Sequence, residues 1–396
     1  MSLPKKILIL TLSFGSGHVR AAEVIQRALQ DGGDNVSVQV MDAIVLARAW
    51  FRWVYVRPYW WMLHYAPWLW RRLFERRLRK RHQSTAPAWV FRYGCAETLR
   101  RIRAFKPDLV IVTEVGAAEI AALGRREGWF SAPILAVQPV HQVEPPSARP
   151  EVDVHCVGME EAKRHLVEWG VSPNRIIVSG IPIDPVFSLP FDKEEILQSL
   201  GLDPRRPVVL VMGGGMGPAP LDRIIWSLEL LGLPLQVLAV AGRDQQMRAR
   251  LGQLRGRVAL DLRSFGWSDT VPEFMAVADL LITKPGETTC AEALAAGLPM
   301  VLTHPIPGSE ERHARYLEQQ GVAVCVRSLE EIPALAFRLL SNPEKLEEMA
   351  CHARELARPG AAHAVAQVSR ALLDRSASMD LLASVSASYG ESAYLM

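Results

Sequence analysis

The chain has 396 residues, of which 49% are hydrophobic and 22% charged, and its formal net charge is +3. This composition is that of a globular protein, and the length suits two domains of about 150–200 residues each. The five cysteines are scattered and include no CxxC pair, which argues against a disulfide framework or a structural zinc site and favours a reducing compartment.

The first predicted element is a strand at KILILTL (6–12). A basic start followed by a short apolar run also occurs in signal peptides. Here, however, the run leads directly into the glycine-containing stretch TLSFGSGHVRAA (11–22), without a cleavage site of small residues, so we interpret it as a strand. Apolar residues at helical spacing, beginning at Ala21, then predict a helix. No stretch of about 18 uncharged apolar residues is found, so we expect no membrane-spanning helix.

Further strand-like runs alternate with helical patterns, and each run is continuously apolar, which is typical of parallel strands covered on both faces. The first series ends at a proline-rich stretch, GIPIDPVFSLP (180–190), where we place a domain boundary after residue 183. The strands predicted before the boundary are VSVQVMD (36–42), DLVIVTE (108–114), APILAVQ (132–138), VDVHCVG (152–158) and RIIVSG (175–180).

The series then restarts, which predicts an α/β protein of two Rossmann-like domains that face each other across a cleft. The second set of strands is RPVVLVM (206–212), LQVLAVAG (235–242), a strand near 258–262, DLLITKPG (279–286), LPMVLTH (298–304) and GVAVCV (321–326). We assign residues 1–183 to the first domain and 184–355 to the second. Residues 356–396 are predicted as a helix that returns toward the first domain, with a loosely ordered tail from about 376.

An aromatic and basic insert, residues 48–81 within a longer interruption at about 44–93, breaks the α/β rhythm. Six of the chain's eleven tryptophans lie between Trp50 and Trp70, and residues 71–81 carry seven positive charges against one negative. Tryptophan favours the membrane interface and arginine pairs with lipid phosphate, so we expect the insert to bind an anionic membrane surface. The alternatives are a protein-buried aromatic hairpin with a solvated basic helix and, less favoured, nucleic-acid binding.

Six motifs within residues 5–340 form a combined pattern that is more specific than a lone glycine-rich loop. They are GSGHVRAA (15–22), KPDLVIVT (106–113), SGIPIDPVF (179–187), VMGGGMGP (211–218), FMAVADLLITKPGETTCAEALAAGLPMVL (274–302) and IPGSEERHA (306–314). Together they resemble the monogalactosyldiacylglycerol synthase and diacylglycerol glucosyltransferase family, relatives of the enzyme that adds GlcNAc to the lipid-linked peptidoglycan precursor. The resemblance implies the GT-B fold, a UDP-sugar bound by the C-terminal domain, a lipid acceptor on the N-terminal side, and no metal or other cofactor.

The stretch KPGETTCAEALAAG predicts a turn at Pro285 and Gly286, followed by a helix that starts near Thr288. Free backbone amides and the helix dipole at such a start suit a diphosphate, with the hydroxyls of Thr288 and Thr289 as further donors. The resemblance assigns Glu292, one turn further on, to two ribose hydroxyls. The alternative for Glu292 is an ordinary glutamate near a helix N-terminus.

A second glycine loop, formed by Gly213, Gly214 and Gly215, directly follows a predicted strand and resembles the family's other phosphate-proximal loop. A tight turn is the alternative interpretation of these glycines. Phe265 stands where the family makes backbone contacts to uracil.

The stretch IPGSEERHA departs from the family pattern while keeping an acidic residue. Ser309 and His313 occupy the positions at which the family has glutamine and asparagine. Glu310 is retained next to Ser309, and the resemblance implies that it accepts a hydrogen bond from a sugar hydroxyl.

Transfer of a glycosyl group requires a base that takes the proton of the acceptor. His18 lies at the start of the first helix, whose positive end disfavours an imidazolium ion and keeps the ring able to accept a proton. We therefore interpret His18 as the candidate base, with structural packing as the alternative. Gly15 and Gly17 would allow the acceptor and the donor sugar to approach the backbone.

Family members carry a Thr-Asp pair and then a histidine after the strand that corresponds to APILAVQ. Here Gln138 and Pro139 replace the pair, whereas His141 retains the histidine. Glu114, at the carboxyl end of DLVIVTE, is our candidate for the missing carboxylate, because ligands lie beyond such strand ends. Structural roles for Glu114 and His141 stay open.

The sequence thus predicts an inverting hexosyltransferase, peripheral to the membrane in the cytoplasm, that makes a glycolipid from a UDP-sugar and a diacylglycerol-like lipid. One alternative is a catalytically altered relative that uses another hydrophobic acceptor or acts as a binding protein, motivated by the missing Thr-Asp pair. Another is a UDP-sugar epimerase of the same fold, which would have no use for a lipid-facing insert. We expect no nucleic-acid partner.

Overall fold

The computed structural model describes residues 3–33, 35–79, 84–215 and 219–374. The end of the insert at 80–81 and the predicted tail from about 376 lie outside these ranges. The chain forms two compact units. The first unit comprises 1–183, 307–309 and 360–396, and the second comprises 184–306 and 310–359.

A six-stranded parallel sheet lies at the centre of the first unit, with the strand order β2-β1-β3-β4-β5-β6. Its strands are mostly runs of buried Val, Ile and Leu, as a sheet covered on both faces requires. They are β1 (Lys5–Thr11), β2 (Val36–Asp42), β3 (Leu109–Val112), β4 (Ile134–Gln138), β5 (Val154–Val157) and β6 (Ile176–Val178).

The connections of the first unit are helical. Three of these helices, the N-terminal one and those after β3 and β5, directly link parallel strands. The helices are α1 (Ser16–Gln30), α2 (Ala43–Leu46), α3 (Ala49–Phe51), α4 (Arg57–Tyr65), α5 (Pro67–Arg79), α6 (Ala88–Gly94), α7 (Ala96–Phe105), α8 (Val115–Arg126) and α9 (Glu160–Glu168).

Two hydrophobic clusters cover the two faces of the first sheet. On one face, Ile7 and Ile9 pack with residues of α1 and with Val365 and Val368. On the other face, Leu8 and its neighbours pack with residues of the insert and of α7 and α8. Burying one such large aliphatic side chain contributes about 1.5–3 kcal/mol.

The aromatic insert is helical and only partly buried. It consists of α3, a π-helical turn at Arg52–Val56, α4 and α5. Phe51 is fully buried in the core, and Trp70 and Phe74 are also buried. Several other aromatic side chains of the insert face solvent, so the interpretation of a fully buried hairpin is wrong.

A second six-stranded parallel sheet lies at the centre of the second unit, with the order β12-β11-β10-β7-β8-β9. Its strands are β7 (Val208–Met212), β8 (Gln236–Val240), β9 (Asp261–Phe265), β10 (Leu280–Thr283), β11 (Met300–Leu302) and β12 (Ala323–Cys325). The strand predicted near 258–262 therefore begins later, at Asp261. The reason is that β9 is an edge strand with polar, partly exposed residues, which a search for continuous apolar runs misplaces.

Helices again cover both faces of this second sheet, above two further hydrophobic clusters. The helices that follow residue 184 are α10 (Lys193–Leu200), α11 (Leu221–Glu229), α12 (Gln245–Leu254), α13 (Val271–Val277), α14 (Glu287–Ala295), α15 (Ser309–Gln319), α16 (Glu331–Leu340), α17 (Pro343–Leu356) and α18 (Ala361–Leu373). The last of these belongs to the first unit, where its buried face packs on the same side of the sheet as α1.

In the part of the chain that the structure describes, no helix is both long enough and apolar enough to cross a bilayer.

Candidate active site

The two sheets share a topological feature that marks where ligands bind. In the first sheet β1 lies between β2 and β3, so the chain reverses its direction of progress across the sheet between β1 and β3. In open α/β sheets, ligands bind beyond the carboxyl ends of the strands at such a switch point. The stretch that contains His18 follows β1, and Glu114 follows β3, so both predicted residues lie at this place.

His18 makes a hydrogen bond that defines its tautomer. Its Nδ1 lies 2.7 Å from the carbonyl oxygen of Thr113. Because a carbonyl oxygen only accepts, Nδ1 carries the proton of the neutral ring and Nε2 keeps its lone pair. Burial lowers the pKa of His18 below its usual 6.5, and the bond to Thr113 opposes part of this effect. The ring is thus a neutral proton acceptor at physiological pH.

The loop before His18 has free space next to Gly15, whereas Phe14 in the same loop packs against aromatic residues of the insert. A side chain at Gly15 would meet no atom within 4 Å, so space is available next to the backbone there. Gly17 lies in the first turn of α1. The ring of Phe14 makes edge-to-face contacts with Tyr55 and Tyr59 of the insert, at 5.5 and 5.4 Å between ring centroids. The insert therefore packs beside the histidine loop.

Glu114 has a structural role that the sequence left open. Its side chain caps α8, with Oε2 accepting hydrogen bonds from the amides of Gly116 at 2.6 Å and Ala117 at 3.2 Å. Burial raises the pKa of Glu114 to about 8, against the effect of the two amide hydrogen bonds. A side chain at Gly116 would begin 3.2 Å from the hydroxyl of Tyr55, so this residue of the insert lies beside the first turn of α8.

His141 is buried in the loop that follows β4, the strand next to β3. Its Nε2 lies 3.4 Å from the carboxylate of Glu161, and its Nδ1 contacts the sulfur of Met159. Gln138, where the family has threonine, bonds through its amide nitrogen to Nδ1 of His155 at 3.3 Å. These contacts bring His141 together with α9 and its N-cap.

A buried polar network that the sequence did not indicate fastens the insert to the first unit. Glu119 of α8 accepts hydrogen bonds from the backbone and hydroxyl of Thr85 and forms an ion pair with Arg149. The hydroxyl of Tyr55 lies 2.7 Å from that of Thr85. Arg77 of α5 pairs with Glu144 at 2.7 Å, which ties the insert to the loop after β4.

The second sheet has its switch point between β7 and β10. The predicted glycine loop, with Gly213, Gly214 and Gly215, follows β7, and Pro285 and Gly286 follow β10. Gly214 has a φ of 73°, and its carbonyl oxygen would lie 3.2 Å from a side chain at Gly242, so backbones pack closely here. The two predicted phosphate loops are thus neighbours at one edge of this sheet.

Helix α14 begins directly after these loops, with Gly286 as its N-cap. Thr288 and Thr289 lie in its first turn and are partly exposed, whereas Glu292 is buried. Glu287, which the sequence did not single out, has its pKa raised by burial, with the charge of His313 opposing and that of Glu310 adding to the shift. The helix start therefore combines accessible donors with a carboxyl group that burial keeps from ionising readily.

Glu310 lies beside this turn, and both oxygens of its carboxylate have partners within the protein. Lys284 forms an ion pair with one oxygen, and the amide of Ile306 donates to the other at 2.9 Å. The Nδ1 of His313 donates to the carbonyl oxygen of Pro285 at 3.0 Å, which holds the turn after β10. Lys284 was missed at the sequence level, although its position directly after a buried strand is the signal that would have identified it.

Phe265 ends β9, and its ring packs against Phe274 at 4.5 Å between centroids. Its carbonyl oxygen accepts a hydrogen bond from Ala241 at 2.9 Å. Two residues further on, Trp267 is partly exposed and lies 4.4 Å from the guanidinium of Arg243. Phe265 is thus a packing residue at the carboxyl edge of the second sheet, on the far side of β8 from the glycine loop.

Within the described residues, no group of three or more His, Cys, Asp or Glu side chains is arranged to hold a metal ion. The described residues that follow the strands at the two switch points include an imidazole, backbone amides, hydroxyls, carboxyl groups and the ammonium group of Lys284. Such a set can transfer protons and bind anions.

Two family models match the two halves of the chain. Residues 18–183 match the monogalactosyldiacylglycerol (MGDG) synthase family, and residues 208–368 match the glycosyltransferase family 28 C-terminal domain. Among curated proteins, a processive diacylglycerol beta-glucosyltransferase of Bacillus licheniformis is 27% identical over 352 residues, with 88% of this chain and 90% of that protein covered. The protein of the same name from Bacillus cytotoxicus is 29% identical over 347 residues, covering 87% and 88%.

Solved structures are similar along nearly the whole chain. MurG of Acinetobacter baumannii has a TM-score of 0.61 at 20% identity, with 92% of this chain and 99% of that chain covered. The S. aureus MnaA-UDP co-structure has a TM-score of 0.62 at 14% identity, covering 93% and 97%. Anabaena HepE in complex with UDP-glucose has a TM-score of 0.53 at 15% identity, covering 98% of each. At these identities the likeness shows the fold alone, and it confirms the GT-B expectation.

Proposed function

We propose that this chain, whose residues 18–183 match the MGDG synthase family and whose residues 208–368 match the glycosyltransferase family 28 C-terminal domain, transfers a hexose from a UDP-sugar to a diacylglycerol-like lipid, with inversion at the sugar. One observation carries the proposal. The neutral imidazole of His18 presents Nε2 as a proton acceptor at a switch point, beside the aromatic insert.

The proposed chemistry follows from these groups. Nε2 of His18 takes the proton of the lipid hydroxyl while that oxygen forms a bond to the anomeric carbon. The bond between that carbon and the diphosphate oxygen breaks, and its electron pair leaves with UDP. Attack opposite the leaving group inverts an α-linked donor to a β-linked product. The proton ends on His18, and the charge that develops on UDP is the part that needs stabilising.

The second unit supplies groups suited to the donor. The first-turn amides of α14 and the hydroxyls of Thr288 and Thr289 form an anion-binding helix start, and Glu292 lies one turn further along the same helix. Two structural neighbours, S. aureus MnaA and Anabaena HepE, were solved with UDP and UDP-glucose, which supports a UDP-sugar here. We therefore assign UDP to this unit.

The insert supplies a surface suited to the acceptor's membrane. Its exposed aromatic residues are Trp53 (61%), Trp61 (55%), Tyr65 (76%) and Trp68 (67%). The guanidinium of Arg57 lies 3.6 Å above the ring of Trp53, and further arginines of α5 are exposed beside them. Indole rings with arginines suit the headgroup region of an anionic bilayer, so we propose peripheral binding at a membrane through the insert.

A donor panel tests this function. The purified chain is incubated with UDP-glucose, UDP-galactose or UDP-GlcNAc and with vesicles that contain diacylglycerol, and the extracted lipids are analysed by mass spectrometry. We expect one hexose added per diacylglycerol with at least one donor. If every donor is instead converted to its epimer in the absence of lipid, the chain is an epimerase. If UDP binds without any turnover, it is a binding protein.

A further inference from the structure

Lys284 is a largely buried cation at the carboxyl edge of the second sheet. It follows β10 directly, its side chain is 12% exposed, and its Nζ lies 2.5 Å from Oε1 of Glu310. The other carboxylate oxygen of Glu310 accepts the amide hydrogen of Ile306 at 2.9 Å. A buried ion pair of this kind is a weak source of stability, because removing both charges from water opposes their attraction. Stability alone therefore does not explain why a lysine is buried at this position.

The lysine side chain runs between the two phosphate loops. A side chain at Gly214 would begin 3.0 Å from Cε of Lys284, and one at Gly286 would begin 3.6 Å from its Nζ. Glycine at these two positions thus leaves room for the lysine to pass from one loop to the other. The ammonium group lies next to Gly286, the N-cap of α14, where the helix amides point.

Because carboxyl groups lie near the start of α14, an anionic ligand that binds there needs a nearby cation to offset their repulsion. Glu310 lies beside the turn after β10, with Oε1 3.9 Å from where a side chain at Gly286 would begin, and its charge acts on Glu287 in the first turn of α14. A diphosphate brought beside two carboxyl groups is repelled by any negative charge on them. Lys284 attracts Glu287 electrostatically as well, and His313 acts in the same direction. Charge-assisted hydrogen bonds from an ammonium group to phosphate are stronger than neutral ones.

We propose that Lys284 exchanges partners when the donor binds: its ammonium group leaves Glu310 for the diphosphate, and the released Glu310 accepts a hydrogen bond from a hydroxyl of the sugar. This inference rests on the proposed function, because it takes the ligand of this edge to be a UDP-sugar. It assigns Lys284 as a donor-binding residue and makes recognition of the sugar depend on binding of the phosphates.

Affinities for uridine, UDP and a UDP-sugar, measured by titration calorimetry, separate the steps. Lys284→Met removes the charge and keeps much of the stem. We expect UDP to bind about 10- to 100-fold more weakly to this variant, with uridine binding unchanged. Lys345→Met, which removes a lysine from an exposed ion pair on α17 of the same unit, is the matched control and leaves both affinities unchanged. If Lys284→Met keeps the wild-type ratio of UDP to uridine affinity, the inference is overturned.

Glu310→Gln provides a second test that does not depend on the folding of the lysine variant. It removes the competing carboxylate, so UDP is expected to bind several-fold more tightly, whereas the additional affinity of the UDP-sugar over UDP falls. UDP affinity that stays the same or decreases contradicts the exchange. Absence of UDP binding in the wild-type chain would instead contradict the proposed function itself, so the two failures are distinguishable.

Discussion

The Nδ1 atom of His18 lies 2.7 Å from the carbonyl oxygen of Thr113, a residue 95 positions further along the chain. The bond joins the first turn of α1 to the end of β3, across the switch point of the first sheet. It fixes both the orientation of the ring and the nitrogen that carries the proton. In the proposed function, this contact leaves Nε2 as the ring nitrogen that accepts the proton.

Replacing His18 by glutamine removes the proposed base while leaving a side chain of similar reach. We expect kcat to fall by about 100- to 10,000-fold, the usual contribution of a general base. UDP binding, measured by calorimetry, should stay at the wild-type level. A variant that keeps its turnover would exclude His18 as the base.

The pH dependence of the wild type reports on the same group. Because burial lowers the pKa of His18 below 6.5, the ring loses its proton-accepting form only in more acidic solution. We therefore expect kcat/KM to be constant near neutral pH and to decline with a midpoint below pH 6.5. A midpoint above that value would contradict the assignment.

Glu114→Gln should change how stability depends on pH. The carboxyl pKa is raised from 4.5 to about 8, so its stabilising contribution is complete below pH 4.5 and is lost as the pH rises through about 8. Denaturant unfolding of the wild type should show a free energy of unfolding that declines over this window, and the glutamine variant should show a smaller decline. Equal pH profiles for the two proteins would mean that Glu114 does not titrate in this range.

Glu119→Ala should be strongly destabilising, because it leaves Arg149 buried without its ion-pair partner. Breaking a buried pair costs about 3 kcal/mol or more, which is a large part of the stability of a domain. Thermal unfolding measures the loss. Arg100→Ala, which breaks an exposed pair with Glu97 on α7, is the control and should leave stability nearly unchanged. Similar effects of the two substitutions would contradict the buried network.

A triple substitution of Trp53, Trp61 and Trp68 by serine should weaken binding to anionic vesicles by about 10-fold or more, because three interfacial side chains are lost. Flotation with vesicles of phosphatidylglycerol and phosphatidylcholine measures this. Trp226→Ser, at a 45% exposed tryptophan of the second unit, is the control and should float like the wild type. Equal flotation of the triple variant would rule out the insert as the membrane-binding surface.

The sheets could be predicted from the sequence because nearly every strand is a continuous apolar run, as in β3, whose four residues are all buried. The predicted position of strand β9 was a few residues too early, because an edge strand does not need a continuous apolar run. The candidate residues predicted after β1, β3, β7 and β10 do follow these strands in the structure, and the carboxyl ends of parallel strands share one edge of a sheet.

The interactions within the sites could not be predicted in this way. The pair of Lys284 and Glu310, the network of Glu119 with Arg149, and the bond of His18 to Thr113 all join residues that are far apart in sequence. Nothing in the local pattern of hydrophobic and polar residues specifies such partners, because they depend on which loops the fold brings to the same edge. The sequence identified candidate residues, and only the three-dimensional arrangement shows which of them contact each other.

The structure of the product tests the central claim most directly. The purified chain is incubated with an α-linked UDP-hexose and diacylglycerol vesicles, and the glycolipid is isolated and examined by proton NMR. We predict a hexose on the free hydroxyl of diacylglycerol with the large anomeric coupling of a β linkage, formed by the wild type and lost in His18→Gln. An α-linked product, or a β-linked product formed equally fast by His18→Gln, would contradict the account.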